Sequence, residues 1–194
     1  MIRIGTFTLI FILFSFSIEA QRSSRNYELG VEIMAASGSN LGGSVGGALK
    51  FAIVENKELA FGPSIRYQYF WSNNQFTGVD HNRSVFGGGG FIHYRFLDWF
   101  YVGSEIEVIQ NPMTTVNPQN RWGLTGFIGG GIHKDFDWVH LNAGLLYDVV
   151  DAMKDPLNHN GSPLRNSYFM RVGQPPNQRL LPIIWRITFF FPLN

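Results

Sequence analysis

The stretch Ile183-Ile184-Trp185-Arg186-Ile187-Thr188-Phe189-Phe190-Phe191-Pro192-Leu193-Asn194 decides the fold. Its odd positions from Ile183 to Phe191 are all large and apolar, while Arg186 and Thr188 fall on even positions. A period of two is the mark of a strand with unlike faces. An arginine in the middle of so oily a segment is accommodated when the apolar row meets lipid and the arginine points into a closed interior. The segment therefore reads as the closing strand of a membrane barrel.

Working back from it, the same alternation recurs between polar or Pro-containing breaks and predicts eight antiparallel strands. They run over Tyr27–Ser37, Gly42–Val54, Leu59–Trp71, Arg83–Phe96, Phe100–Gln110, Arg121–Lys134, Val139–Val149 and Arg179–Phe191. Strands of roughly 11 to 14 residues exceed the usual globular length and suit a tilted bilayer crossing with some overhang. The connections Glu55–Glu58, Leu97–Trp99 and Asp135–Trp138 are short, whereas Ser72–Asn82, Asn111–Asn120 and Val150–Gln178 are long and rich in Asn, Pro, Gly and Ser. The hairpin near Gly38–Leu41 departs from this rule. With the chain starting on the periplasmic side, the short turns lie there and the long loops outside, as outer-membrane barrels prefer.

Which face meets lipid follows from the content of the two rows. One row holds Tyr27, Leu29, Val31 and Ile33; Val45, Leu49 and Phe51; Phe61, Ile65, Tyr67, Tyr69 and Trp71; Ile92, Tyr94 and Phe96; Val102, Ile106 and Val108; Leu124, Ile128 and Ile132; and Val139, Leu141, Leu145 and Tyr147. The opposite row carries four acids, Glu28, Glu32, Glu105 and Glu107, and four bases, Lys50, Arg66, Arg95 and Arg186. A charge facing lipid at mid-bilayer costs about 2–4 kcal/mol, so eight of them would exceed a typical folding free energy of about 5–15 kcal/mol. These residues are assigned to the lumen as an ion-pair network, since side chains fill a barrel of this size and pairing offsets desolvation. Gly87, Gly89, Gly129, Gly131 and Gly144 leave room for Phe91, Arg95 and Arg186. Trp71, Trp122, Phe86 and Tyr147 are expected at the outer ends of strands, and Tyr27, Trp99, Phe100 and Trp138 at the inner ends, as aromatic girdles. Trp185, placed mid-strand, does not fit them.

Bulk composition agrees. The chain has 45% hydrophobic and 15% charged residues, with 22 Gly, 18 Phe, 7 Tyr and 5 Trp, which excludes a disordered chain and favours strands over a helical bundle. A net charge of +1 without any Lys/Arg cluster gives no footprint for nucleic acid. Without cysteine there is no disulfide framework, thiolate metal site or lipid-bearing Cys. Residues 1–20 carry Arg3, an apolar run from Ile4 to Ile18 and a small residue, Ala20, before Gln21. This reads as a secretory signal peptide, leaving residues 21–194 as the barrel domain.

Eight amphipathic strands, short inner turns, a signal segment and the closing Ile187-Thr188-Phe189-Phe190-Phe191 together resemble the small outer-membrane β-barrels of the OmpA/OmpX type. The likeness covers about Asn26 to Phe191 and rests on pattern. It implies a cell outer membrane location in a Gram-negative bacterium, contact with outer-membrane lipid, and recognition of the closing strand by the barrel-assembly machinery, with Phe191 as the terminal aromatic. The chain departs from that pattern in carrying Pro192-Leu193-Asn194 beyond it.

Signals for chemistry are few. The histidines are His81, His93, His133, His140 and His159, and no His-Glu-x-x-His, Gly-x-Ser-x-Gly or acidic calcium loop is present. Gly87-Gly88-Gly89-Gly90 lacks the Lys-Ser/Thr and the helix of a phosphate loop. His159 with Ser162 and Asp155 is the one local cluster of catalytic residue types, weighed against an ordinary solvated loop. Glu105 and Glu107 share a face as a catalytic pair might, but ion pairing with Arg66 or Arg95 is the simpler reading. In the last loop, Leu164, Tyr168, Phe169 and Met170 either mark a protein partner's contact site or fold back onto the barrel mouth.

The sequence thus predicts an all-β, eight-stranded antiparallel up-and-down transmembrane β-barrel with a plugged, charged lumen. Its expected role is non-enzymatic, structural or interactive, within a larger surface assembly, and without a cofactor. A narrow pore and an outer-membrane lipid-modifying enzyme are the functional alternatives, and a soluble ligand-binding barrel the alternative at the level of fold.

Overall fold

A computed structural model describes residues 25–38, 42–74, 79–110, 122–153, 164, 167–172 and 179–193. Residues 1–20, expected to be a signal peptide, and the cluster Asp155, His159 and Ser162 lie outside them. The chain order is β1 (Arg25–Gly38), β2 (Gly42–Glu55), β3 (Leu59–Asn74), β4 (Val79–Phe96), β5 (Phe100–Gln110), β6 (Trp122–Phe136), β7 (Val139–Asp148), helix α1 (Val149–Ala152), the short strands β8 (Arg171–Val172) and β9 (Arg179–Leu180), and β10 (Ile183–Leu193). Eight strands close into a barrel in the order β1-β10-β7-β6-β5-β4-β3-β2, every neighbouring pair antiparallel. Closure pairs β10 with β1, Phe191 opposite Leu29 and Ile187 opposite Ile33, so no barrel strand is left with a bare edge.

Alternation is what makes these strands, and it holds around the barrel. Tyr27, Leu29, Val45, Leu49, Ile65, Tyr67, Ile92, Val102, Ile106, Ile128, Ile132 and Leu145 face outward and are exposed, Ile65 at 62% and Ile106 at 59%. Val139 keeps to the outward row, opposite the exposed Phe136, but is covered where the two-residue turn brings the strands together. The turn between β2 and β3 has Asn56 and Lys57 at φ 54° and 63°, and that between β4 and β5 has Leu97 and Asp98 both at φ 54°. Positive φ at two successive turn residues matches the right-handed twist of the strands they join.

Several strand boundaries differ from the sequence-based expectation, and β3 runs on to Asn74. β4 begins at Val79 instead of Arg83, because Val79-Asp80-His81-Asn82 continue the ladder against Trp71 to Asn74. β7 stops at Asp148, whose carboxylate accepts from the backbone N–H groups of Val150 and Asp151 and so caps α1. β10 begins at Ile183 and not Arg179, since Arg179 and Leu180 pair with Arg171 and Val172 in a separate small hairpin. Trp185 is consequently two residues from the start of its strand, paired with Leu145 near the loop end of the barrel, and its apparent misplacement disappears. β10 also continues to Leu193, with Pro192 opposite Glu28 and Leu193 opposite Tyr27.

Aromatic side chains gather at both ends. Phe86 and Trp122 meet edge to face at 5.8 Å near the loop end. At the turn end Tyr27 stacks on Phe51 at 5.8 Å, Phe96 on Phe100 at 5.9 Å, Trp138 lies against Phe191 at 6.2 Å, and the Lys134 ammonium sits 3.9 Å above the Trp99 ring.

Candidate functional site

The interior is layered. Nearest the turn end, Arg95 from β4 grips Glu28 from β1 with two parallel hydrogen bonds, Nη1 to Oε1 at 3.0 Å and Nη2 to Oε2 at 2.6 Å, and His140 Nδ1 from β7 faces Glu28 Oε1 at 2.7 Å. These groups line an open cavity of about 270 Å³ together with Asn26, Lys57 and Asp135. Deeper lies an apolar shelf of Ala52, Val54, Ala60, Phe91 and Phe190. Gly30 is required here: a Cβ on it would come within 2.8 Å of the Phe190 ring and 3.0 Å of Lys50 Cβ.

At the centre three carboxylates and three cations form a closed ring. Lys50 Nζ bridges Glu32 Oε2 and Glu105 Oε1, both at 2.6 Å. Arg186 joins Glu105 Oε2 to Glu107, its Nη2 lying 3.4 Å from Glu107 Oε2. Arg66 joins Glu107, at 2.9 Å, back to Glu32 Oε1, at 2.6 Å. Each acid is thus shared by at least two bases and each base by at least two acids; Arg186 also reaches the third acid, its Nε lying 3.5 Å from Glu32 Oε1, and Thr188 Oγ1 adds a bond to Glu32 Oε2 at 3.3 Å. All six side chains are at most 1% exposed. The formal charge of the ring is zero, the condition under which mutual attraction can offset the desolvation of six ions. Aromatic rings close it on two sides: the Arg186 guanidinium lies 4.4 Å from the Phe127 centroid and Lys50 Nζ 5.1 Å from that of Phe91.

Above the ring a second apolar cluster, Met34, Phe70, Val85, Ile109, Phe127, Leu146 and Ile184, is sealed by Leu164 and Tyr168 from the last loop. The seal is pinned by polar contacts: the Tyr168 hydroxyl donates to Asp148 Oδ2 at 3.0 Å, and Gln68 Nε2 donates to Ser167 Oγ at 2.6 Å. Asp148 is also held by its own N–H, which donates to the Pro182 carbonyl at 2.7 Å.

All eight charged residues assigned to the lumen are therefore inside it, but in two groups: a ring of Glu32, Lys50, Arg66, Glu105, Glu107 and Arg186, and a separate pair, Arg95 with Glu28. Glu105 and Glu107 are engaged by cations on every oxygen, and their side chains are at most 1% exposed. Of the four apolar residues in the last loop, Leu164 and Tyr168 turn inward and are covered, while Phe169 and Met170 are exposed at 45% and 40%. Asp148, Ser167 and Gln68 were not singled out from the sequence. An aspartate directly before Val149-Val150-Asp151-Ala152 is a helix-cap signal that could have marked Asp148, and alternation with Arg66 puts Gln68 on the inward row, whereas nothing local marks Ser167.

A chain of polar side chains runs from the ring to the turn end. His93 Nε2 faces Glu105 Oε1 at 3.0 Å, His93 Nδ1 faces the Asn142 amide at 3.4 Å, Asn142 Oδ1 faces His133 Nδ1 at 2.6 Å, and His133 Nε2 faces Asp135 Oδ1 at 2.7 Å. Among the described residues, no group of three or more His, Asp or Glu side chains is disposed to hold a metal ion. Comparison with known protein families, with curated proteins and with solved structures finds no match to this chain.

Proposed function

We propose that the barrel is an integral outer-membrane protein of the OmpA/OmpX type whose lumen is plugged, and that it acts as a structural or interaction component of a larger surface assembly. The observation that carries this reading is the inversion of the barrel: its outer wall is a continuous apolar surface bounded by aromatic rings at both ends, while its ions are inside. A soluble ligand-binding barrel would reverse that distribution, with the apolar row turned to an inner pocket. Among the described residues the neutral ring, the two apolar layers and the Leu164–Tyr168 cover fill the lumen with buried side chains, which favours a plug over a narrow pore. Phe169 and Met170, held outside by a segment anchored through Tyr168, are the residues proposed to contact a protein partner.

Three measurements test this reading. The purified protein should require detergent to stay in solution, and in planar bilayers it should give no steady single-channel openings. Free solubility without detergent would refute the membrane assignment, and stable unitary conductance would replace the plug with the pore. Affinity isolation from solubilised membrane, comparing the native chain with a Phe169→Ser, Met170→Ser variant, should lose a stoichiometric companion in the variant.

A further inference from the structure

We propose that His93, Asn142 and His133 form a one-proton site that latches Asp135 onto the turn end of the lumen. A count of hydrogens along the chain requires the extra proton. The chain begins at Glu105 and ends at Asp135, two carboxylates that can only accept. His93 Nε2 and His133 Nε2 face those carboxylates and must both carry N–H. Between the rings stands one amide, which offers an oxygen to one Nδ1 and an N–H to the other. The Nδ1 that faces the oxygen must also donate. Three ring N–H groups are then needed, whereas two neutral imidazoles supply two.

The result does not depend on how the amide is oriented, which is the usual ambiguity of such chains. With Asn142 Oδ1 toward His133, the imidazolium is His133; with the amide reversed, it is His93. Moving the proton to Asp135 leaves the count unchanged. The chain therefore holds one proton beyond its neutral rings in either arrangement, and an amide flip relocates the charge between the mouth and the centre.

The surroundings of both rings are defined. Glu105 and Tyr101 from β5, Glu32 from β1 and Lys50 from β2 face His93, with Phe91 and Phe190 packed on its sides. His133 is faced by Arg95 from β4, His140 from β7 and Asp135 on its own strand. Because the ring of six ions is already neutral, the extra positive charge has Asp135 as its counter-ion. Asp135 is 57% exposed while His133 is buried, so when the proton leaves, the carboxylate faces an unprotonated nitrogen and turns out to water. That motion withdraws Asp135 from the cavity lining it shares with Glu28, Arg95 and His140.

The test is nitrogen-15 NMR of the histidine ring nitrogens in the full detergent-solubilised protein, titrated from about pH 9 to about pH 5 around the ordinary imidazole range. The native chain should take up one proton shared by His93 and His133, with His93 showing Nε2–H in the neutral form. In Asp135→Asn the side-chain amide donates to His133 Nε2, every bond is satisfied by neutral rings, and uptake should vanish. In Asn142→Asp both Nδ1 atoms face an acceptor, and both rings should be imidazolium. Two rings titrating independently in the native chain, or equal uptake in the native chain and Asp135→Asn, would overturn the proposal. Asp135 lies at the exposed mouth, so its variant keeps the test decisive even if Asn142→Asp does not fold.

Discussion

Replacing Arg186 with methionine is the sharpest perturbation of the central ring. The substitution keeps a long flexible chain but removes one of three cations, leaving two bases against Glu32, Glu105 and Glu107 and a net charge of −1 among buried side chains. Glu105 Oε2 loses its partner, Glu107 keeps only Arg66, and Phe127 loses the guanidinium at 4.4 Å. Removing one partner of a buried pair costs about 3–5 kcal/mol, most of it from the uncompensated charge left behind. Arg186→Met should therefore destabilise the barrel by about that amount in urea unfolding of the micelle- or vesicle-reconstituted protein, followed by tryptophan fluorescence. Adding Glu105→Gln restores neutrality, with Lys50 and Arg66 against Glu32 and Glu107. The double variant should be more stable than Arg186→Met alone, with a coupling of about 2–3 kcal/mol. A cost for Arg186→Met below about 1 kcal/mol, or simple additivity of the two substitutions, would refute the ring as an electrostatic unit.

Other substitutions probe the remaining layers. Gly30→Leu drives a side chain into Phe190 and Lys50 and should destabilise by about 1–3 kcal/mol through overpacking, read by the same unfolding curves. Tyr168→Phe removes the hydroxyl that donates to Asp148; a hydrogen bond to a charged group contributes about 1.5–3 kcal/mol, so amide exchange should accelerate in residues 167–172 and remain slow in the barrel strands. On the proposed lipid face, Ile106→Arg near the middle of β5 should cost about 2–4 kcal/mol, while Phe100→Arg at the turn end should cost about 0–1 kcal/mol; equal costs would contradict the depth assignment.

The strands were legible because a half-buried strand writes its two environments into alternate positions, and the charged residues mark one of them. That is why Arg186, flanked by Ile187 and Trp185, could be placed inside from its neighbours alone. Partner choice is a different matter. Whether Arg66 meets Glu107 or Glu105, and that Arg95 pairs with Glu28 apart from the others, depends on strand register and side-chain reach around a closed barrel, which no local period encodes. The seal by Leu164 and Tyr168 was legible only as one of two readings, since an apolar loop residue looks the same whether it meets a partner or its own barrel. The His93–Asn142–His133 chain was invisible for the same reason: its members come from three strands, and each alone is an ordinary inward polar residue. Strand ends failed where a cap or a second hairpin intervened, at Asp148 and at Arg179-Leu180.

The central claim is that the outer apolar rows meet hydrocarbon while the ions are enclosed. The native chain contains no cysteine, so single cysteines at positions 98, 100, 102, 104, 106 and 108 can each carry a spin label without background. In proteoliposomes, collision with dissolved oxygen should rise from position 100 toward the middle of β5, and collision with a water-soluble nickel reagent should fall in parallel, while position 98 in the turn stays open to nickel. Nickel reaching position 106 as freely as position 98 would contradict the account.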